Sequence, residues 1–267
     1  FGEKLVLRLF DPQQLQEGFD RLGLDGAQLD QWQGLLRHRQ GIILVTGPTG
    51  SGKTSTLYAS LKLLATPQVN LCTIEDPIER LEPAFNQLQV QPALDLGFAN
   101  GVRAMLRQDP DIIMIGEIRD RETALVAVQA ALTGHLVLST LHTNDACGAI
   151  TRLQELGVAD YLIKATLVGV MAQRLVRTLC ADCRGDTALR EGQPCRTCRG
   201  TGFHGRTGLF ELLIPSDSLR ALIGPGSDLA SLRRQAVADG LLDLRRCGEA
   251  KVACGQTRQE EVLRACS

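Results

Sequence analysis

A chain of 267 residues with 44% hydrophobic content is long enough for one large α/β core or two modest domains. Its 29 basic and 30 acidic residues leave a net charge of −1, which gives no electrostatic reason to expect a nucleic-acid track or an anionic membrane as the main partner. No apolar run approaches the roughly 20 residues of a membrane span and no segment has signal-peptide form, so the expectation is a soluble, cytosolic piece, and a start at Phe1 suggests a fragment.

In chain order, Glu3 to Phe10 alternate as a strand, with Leu5, Leu7 and Leu9 on one face and Val6 and Arg8 on the other, until Asp11 and Pro12 end it. A lone strand is not stable by itself, so residues 1–11 are expected to be the last strand of a missing N-terminal domain or an arm that docks elsewhere. Residues 12–30 are polar with scattered glycines and are assigned to a linker. Leu29, Trp32, Leu35 and Leu36 then mark a short amphipathic helix before the first core strand, Ile42 to Thr46.

That strand runs into Gly47-Pro48-Thr49-Gly50-Ser51-Gly52-Lys53-Thr54, followed by Ser55 and a helix carrying Leu57, Leu61 and Leu64. Strand, glycine loop and helix are the context of a P-loop. Glycines let backbone N–H groups face the phosphates of a nucleotide, and the helix start adds its positive dipole. Lys53 is expected to meet the β- and γ-phosphates, and the Thr54 hydroxyl to complete a Mg²⁺ shell.

Leu71 to Ile74 form a second strand ending at Glu75, Asp76 and Pro77, with Glu79 two residues on. Acids at a strand's carboxyl end sit where α/β sheets bind ligands. Phe98, Val102, Met105 and Leu106 mark a helix, and Asp111 to Ile115 the third strong strand, leading into Gly116 and Glu117. An acid there reads as a Walker B element, while Asp111 at the strand's start is structural. Arg121 to Leu132 is expected to be a helix and His135 to Thr140 the fourth strand, with His135 structural and His142 at the ligand end. Four such βα units predict a RecA-like core, a mainly parallel sheet between helices, over residues 31–178.

Cys180 and Cys183, then Cys195 and Cys198, form two C-x-x-C pairs that suit a structural four-sulfur Zn²⁺ shell better than a redox dithiol. Residues 179–206 are therefore expected to be a zinc-binding element. Nearby arginines, Arg174, Arg177, Arg184, Arg196 and Arg199, keep a nucleic-acid role open, although only Phe203 is close enough for base stacking. Residues 207–267 read as a strand followed by a small helical C-terminal region.

Taken together, GPTGSGKT, TIEDPIE, LRQDPDIIMIGEIRD, TGHLVLSTLHTND, AQRLVRTLCADC and CRGTGFHGRTGLFELL closely resemble the secretion ATPases of the GspE/PulE type. The first four correspond in that family to Walker A, Asp box, Walker B and His box. The resemblance implies ATP/ADP and Mg²⁺ at Gly47 to Ser55, with Glu75, Asp76 and Glu79 in the Asp box, Glu117 as the Walker B acid and His142 in the His box. It also implies a γ-phosphate contact from Arg8. The expected protein is a hexameric motor of type II secretion, cytoplasmic and held to the inner membrane through platform and linker proteins. The rival readings are a type IV pilus assembly ATPase, a pilus retraction motor, a nucleic-acid translocating motor and a small-molecule kinase.

Overall fold

Successive side chains of a strand point to opposite faces, and β1 (Gly41–Thr46) shows the consequence when helices cover both sides. Ile42 and Leu44 join one buried cluster, and Ile43 and Val45 join the other. β4 (Ile112–Ile115) and β5 (Leu136–Leu141) divide the same way, Ile113, Ile115 and Val137 against Ile112, Met114 and Leu136. Continuous apolar runs are what doubly covered parallel strands require, and each such Leu or Ile contributes about 1.5–3 kcal/mol by its burial.

The computed structural model describes Gly2, residues 18–186 and residues 193–266. Among these, β1, β4 and β5 share one seven-stranded sheet with β2 (Leu71–Glu75), β3 (Asn86–Gln89), β6 (Leu167–Leu179) and β7 (Phe203–Leu213). The order is β3-β2-β4-β5-β1-β6-β7, parallel throughout except where β7 runs against β6. The expectation of a mainly parallel α/β sheet holds. β1 ends opposite Ala172, so Gln173 to Leu179 continue with β7 alone and lead into the cysteine pairs.

On one face lie α1 (Phe19–Leu22), α2 (Gly26–Leu36) and α3 (Lys53–Leu64), whose Trp32, Leu36, Leu57 and Leu61 are fully buried or nearly so. The Trp32 indole N–H donates to Ser60 Oγ at 3.0 Å, which fastens α2 to α3. The other face carries α4 (Phe98–Met105), α5 (Arg121–Leu132), α6 (Gly148–Glu155) and α7 (Asp160–Thr166). α5 begins where the Asp120 side chain accepts the Thr123 N–H, and Ala124, Ala127 and Ala131 let it approach the sheet closely.

One expectation changes. The described part of the 12–30 stretch is not a free linker: α1 and the start of α2 lie in it, and Leu22 and Leu24 are buried because they face α3 and the sheet. The expected helical C-terminal region is present and packs on the core. α8 (Asp217–Leu222), α9 (Leu229–Ala238), α10 (Leu244–Ala253) and α11 (Gln259–Cys266) place Leu219, Leu232, Leu244 and Val262 in the same cluster as Val170 and Leu209 of the sheet. Among the described residues no helix is long and apolar enough to cross a membrane.

Candidate functional site

The carboxyl ends of β1, β2, β4 and β5 face the same way, and each is followed within two residues by an expected site residue or ends on one. This follows from parallel pairing, because strands that run together end together. Gly47 to Gly52 form the loop after β1, and Lys53, Thr54 and Ser55 open α3. Gly47 (φ 145°) and Gly52 (φ 89°) take left-handed backbone that disfavours any side chain. A Cβ on Gly47 would meet Gln173 O at 2.4 Å, and one on Gly52 would meet Gln173 Nε2 at 2.9 Å. Pro48, Thr49 and Gly50 are exposed, so the outer face of the loop is open.

Lys53 is 9% exposed, and its ammonium turns back to donate to Gly47 O at 2.8 Å and Pro48 O at 3.0 Å. Burial lowers its pKa, Arg174 lowers it further and Glu117 opposes both. Glu117 stands two residues past β4. Its carboxylate meets Arg119 Nε at 2.5 Å and His142 Nε2 at 3.6 Å, so Walker B and His box expectations converge on one contact. Backbone and hydroxyl bonds hold that pair in place: Thr140 Oγ1 donates to Gly116 O at 2.7 Å, and the Ile118 N–H to Thr140 O at 3.0 Å. On the other side of His142, Thr46 Oγ1 receives the Thr143 N–H at 2.9 Å, tying the loop to the end of β1.

Glu75 is engaged elsewhere. It is 3% exposed and accepts three donors, Tyr58 Oη at 2.7 Å, Thr73 Oγ1 at 2.7 Å and Gln87 Nε2 at 3.2 Å. Burial and the Glu75 carboxylate both raise the Tyr58 pKa, which keeps the phenol a donor. Asp76 is exposed and Glu79 half-buried on the loop that follows. Arg8 lies outside the described residues. His135 is structural as expected, its Nδ1 2.8 Å from Ala130 O.

Several residues of this end went unread in the sequence. Arg174, grouped there with the cysteine pairs, sits on β6 beside the loop and donates to Asn144 O at 2.7 Å and Gln173 O at 3.1 Å. Glu211 on β7 is buried, which raises its pKa, and its two oxygens take the N–H groups of Ala146 at 2.8 Å and Leu244 at 3.3 Å. With the Arg233–Asp145 ion pair, this fastens the loop that carries His142 to α9 and α10. Their signals were polar residues inside otherwise apolar stretches, Arg174 beside Gln173 in AQRL and Glu211 alone in LFELL.

The four sulfurs of Cys180, Cys183, Cys195 and Cys198 lie within 4.8 Å of one another, with Cys183 to Cys198 at 3.6 Å and Cys180 to Cys195 at 3.9 Å. A tetrahedral shell with Zn–S bonds of about 2.3 Å puts sulfurs about 3.8 Å apart, so the cluster fits zinc, and four soft thiolates leave no open ligand position. Two copies of one turn build it: C-x-x-C-R-G recurs at Cys180–Gly185 and Cys195–Gly200, with Arg184 and Arg199 both left-handed at φ 53°. Burial pushes the Cys183 thiol up to about 12. Against the same desolvation, the Gly202 N–H and the neighbouring thiols bring Cys198 down to about 6. The knuckle is braced by Arg258, which stands just before α11 and donates to Gly185 O, and by Arg177, stacked 4.2 Å from the centre of the Phe203 ring.

The family model described as Type II/IV secretion system protein matches residues 1–264. The type IV pilus assembly ATPase TfpB of Acinetobacter baylyi is 55% identical over 99% of this chain and 48% of its own length. The type II secretion system protein HxcR of Pseudomonas aeruginosa is 50% identical over 98% of this chain and 56% of its own. A solved structure of the pilus retraction motor PilT with bound ADP superposes with a TM-score of 0.73 at 30% identity, covering 93% of this chain and 66% of that one. The chain thus spans about half the length of the curated relatives it matches, 48% and 56%.

Proposed function

Because the chain belongs to the type II/IV secretion system protein family, we propose that it is the ATP-hydrolysing part of a hexameric motor that drives type II protein secretion from the cytoplasmic face of the inner membrane. The observation that carries this reading is the glycine loop with Lys53 at its end, beside the Glu117 and His142 pair at the same edge of the sheet. Assembly of a type IV pilus is the second reading, favoured by the relative at 55% identity that bears that name. Both are export motors with the same chemistry, attack of water on the γ-phosphate of ATP to give ADP and phosphate.

The loop from Gly47 to Thr54 and Ser55 binds the phosphates through its N–H groups, Pro48 having none, and Lys53, two of whose three N–H groups hold Gly47 O and Pro48 O, meets them with its ammonium. Its desolvated ammonium interacts more strongly with phosphate than one in water. Thr54 supplies a hydroxyl to Mg²⁺, which spreads phosphate charge when bound. Glu117 orients the attacking water, and His142, within 3.6 Å of it, fixes that carboxylate and senses the γ-phosphate. Glu75 and Glu79 complete the acidic side of the site, with Glu75 held by Tyr58, Thr73 and Gln87. Arg8 adds a cation for charge that builds on the γ-phosphate, as arginine fingers do. Zinc at Cys180, Cys183, Cys195 and Cys198 has a structural role. The partners are further copies of the chain and the platform and linker proteins of the apparatus, with no nucleic acid required.

Steady-state ATP hydrolysis by the full-length protein, its Lys53→Ala variant and both with added DNA tests the proposal. The expected result is hydrolysis lost in the variant and indifferent to DNA. Wild-type turnover by Lys53→Ala would remove the site assignment, and stimulation by DNA would make the protein a nucleic-acid motor.

A further inference from the structure

Glu211 is a buried carboxylate, 6% exposed, that the reaction described above does not use. Register fixes its place: Thr46, the last residue of β1, pairs with Ala172 on β6, and Ala172 pairs with Glu211 on β7. Residues paired across a sheet point to the same face, so Thr46 and Glu211 stand on one face about 10 Å apart, with only the Ala172 methyl between them. The turn of residues 143–146, directly after His142, is held at both ends of that row. The Thr143 N–H donates to Thr46 Oγ1 at 2.9 Å, and the Ala146 N–H to Glu211 Oε1 at 2.8 Å.

The imidazole of His142 is half exposed, and among the described residues its side chain makes no polar contact but that with Glu117, at 3.6 Å. The turn behind it therefore decides where it stands. Ala146 is fully buried, and an N–H there needs an acceptor. Glu211 directs its shorter bond to that N–H. The longer one, 3.3 Å, goes to Leu244 at the start of α10, where Asp243 already caps the helix by accepting the Arg246 N–H at 2.7 Å. Resting on the reading of Glu117 and His142 given above, we infer that Glu211 is a positioning residue for ATP hydrolysis: with Thr46 it seats the 143–146 turn on the sheet, and so sets where His142 stands against the Glu117 carboxylate. It acts through the turn and not on the nucleotide.

The test measures ADP affinity, KM and kcat per ADP-binding site in the full-length protein and in Glu211→Gln, His142→Ala and the double variant. Gln keeps the size of Glu, but its amide accepts at one end only and turns an NH₂ group toward the other N–H. The expected result is a kcat lower by at least about tenfold in Glu211→Gln, on a scale where a 1 Å misplacement costs on the order of 10²-fold. ADP affinity and KM should stay within about twofold, because the glycine loop and Lys53 belong to β1 and α3. Residues that act as a unit do not have additive effects, so the double variant should be no more than about twofold slower than His142→Ala. Wild-type kcat in Glu211→Gln overturns the inference, and it is what a brace for α10 alone would give. Weaker ADP binding at unchanged kcat overturns it too, as does a loss in the double variant equal to the product of the single losses. Should Glu211→Gln not fold, Glu211→Asp, which keeps the charge and shortens the reach, takes its place with the same readouts. His142→Ala at the wild-type rate overturns the reading of His142 and this inference with it, whereas a slow His142→Ala beside an unimpaired Glu211→Gln removes the inference alone.

Discussion

The glycine loop and the cysteine knuckle are both short turns at the end of a strand, yet they are held in opposite ways. Behind the loop stand buried strands and α3, with Leu57 and Leu61 inside the core at 1% and 0% exposure, so the fold positions it whether or not a ligand is bound. The knuckle's own buried cluster consists of thiols alone among the described residues, and its side-chain bracing comes from two arginines, Arg177 and Arg258, around the Phe203 ring. A turn with a core behind it can hold groups ready for chemistry. A turn without one needs a metal to become ordered, which is why the first reads as an active site and the second as a brace.

The sharpest way to break this comparison is Lys53→Ala. Because the loop's backbone is fixed by the core, the variant should keep its thermal transition and lose ATP turnover by on the order of 10²–10³-fold or more, the scale seen for removal of one preorganised charge-stabilising donor. Loss of fold together with activity would mean that Lys53 holds the loop up. Next is Cys183→Ser. It should eliminate bound zinc by metal analysis and amide-exchange protection across residues 180–186 and 193–202, with the sheet's protection unchanged. Unfolding of β1 or β5 in that variant would show the knuckle to be part of the main core.

Tyr58→Phe probes the loop side more gently. It removes one of three donors to the buried Glu75 carboxylate, and a lost bond to a charged group costs about 1.5–3 kcal/mol, read as a lower midpoint in denaturant. The smallest effect is acid sensitivity on the knuckle side. Hydrogen bonding from Arg177 holds the Glu261 pKa below its usual 4.5. A lowered carboxylate pKa gives stability that is present above the unfolded value and disappears as pH falls through the folded one, so α11 should loosen in exchange experiments below about pH 4.5. Arg177→Gln should flatten this acid dependence, and an unchanged dependence would remove the pair from the account.

How much of this was legible depended on whether the determinant was local. β1, β2, β4, β5 and α5 show in the sequence because each carries its own apolar pattern. Glu117 and His142 were legible by position, since parallel strands bring their ends to one edge. The edge strand β3, Asn-Gln-Leu-Gln, has no such pattern, and its half-exposed polar residues are fixed by pairing with β2. Arg174 and Arg177 looked alike in the sequence, but partners far along the chain separate them. Arg174 reaches Asn144 and Arg177 reaches Glu261. Burial of Leu22 and Leu24 was missed because two leucines among polar residues carry no period, and only the neighbouring α3 gives them a place.

The most direct measurement is nucleotide affinity before and after zinc is stripped. A fluorescent ADP analogue would be titrated into the full-length protein, untreated and treated with a zinc-selective chelator that leaves Mg²⁺ in place. The account predicts that zinc is lost and that ADP affinity stays within about twofold, because the loop's support lies in the core and the knuckle's lies in the metal. If ADP binding disappeared with the zinc, the two ends would be one site, and the division drawn between them would be wrong.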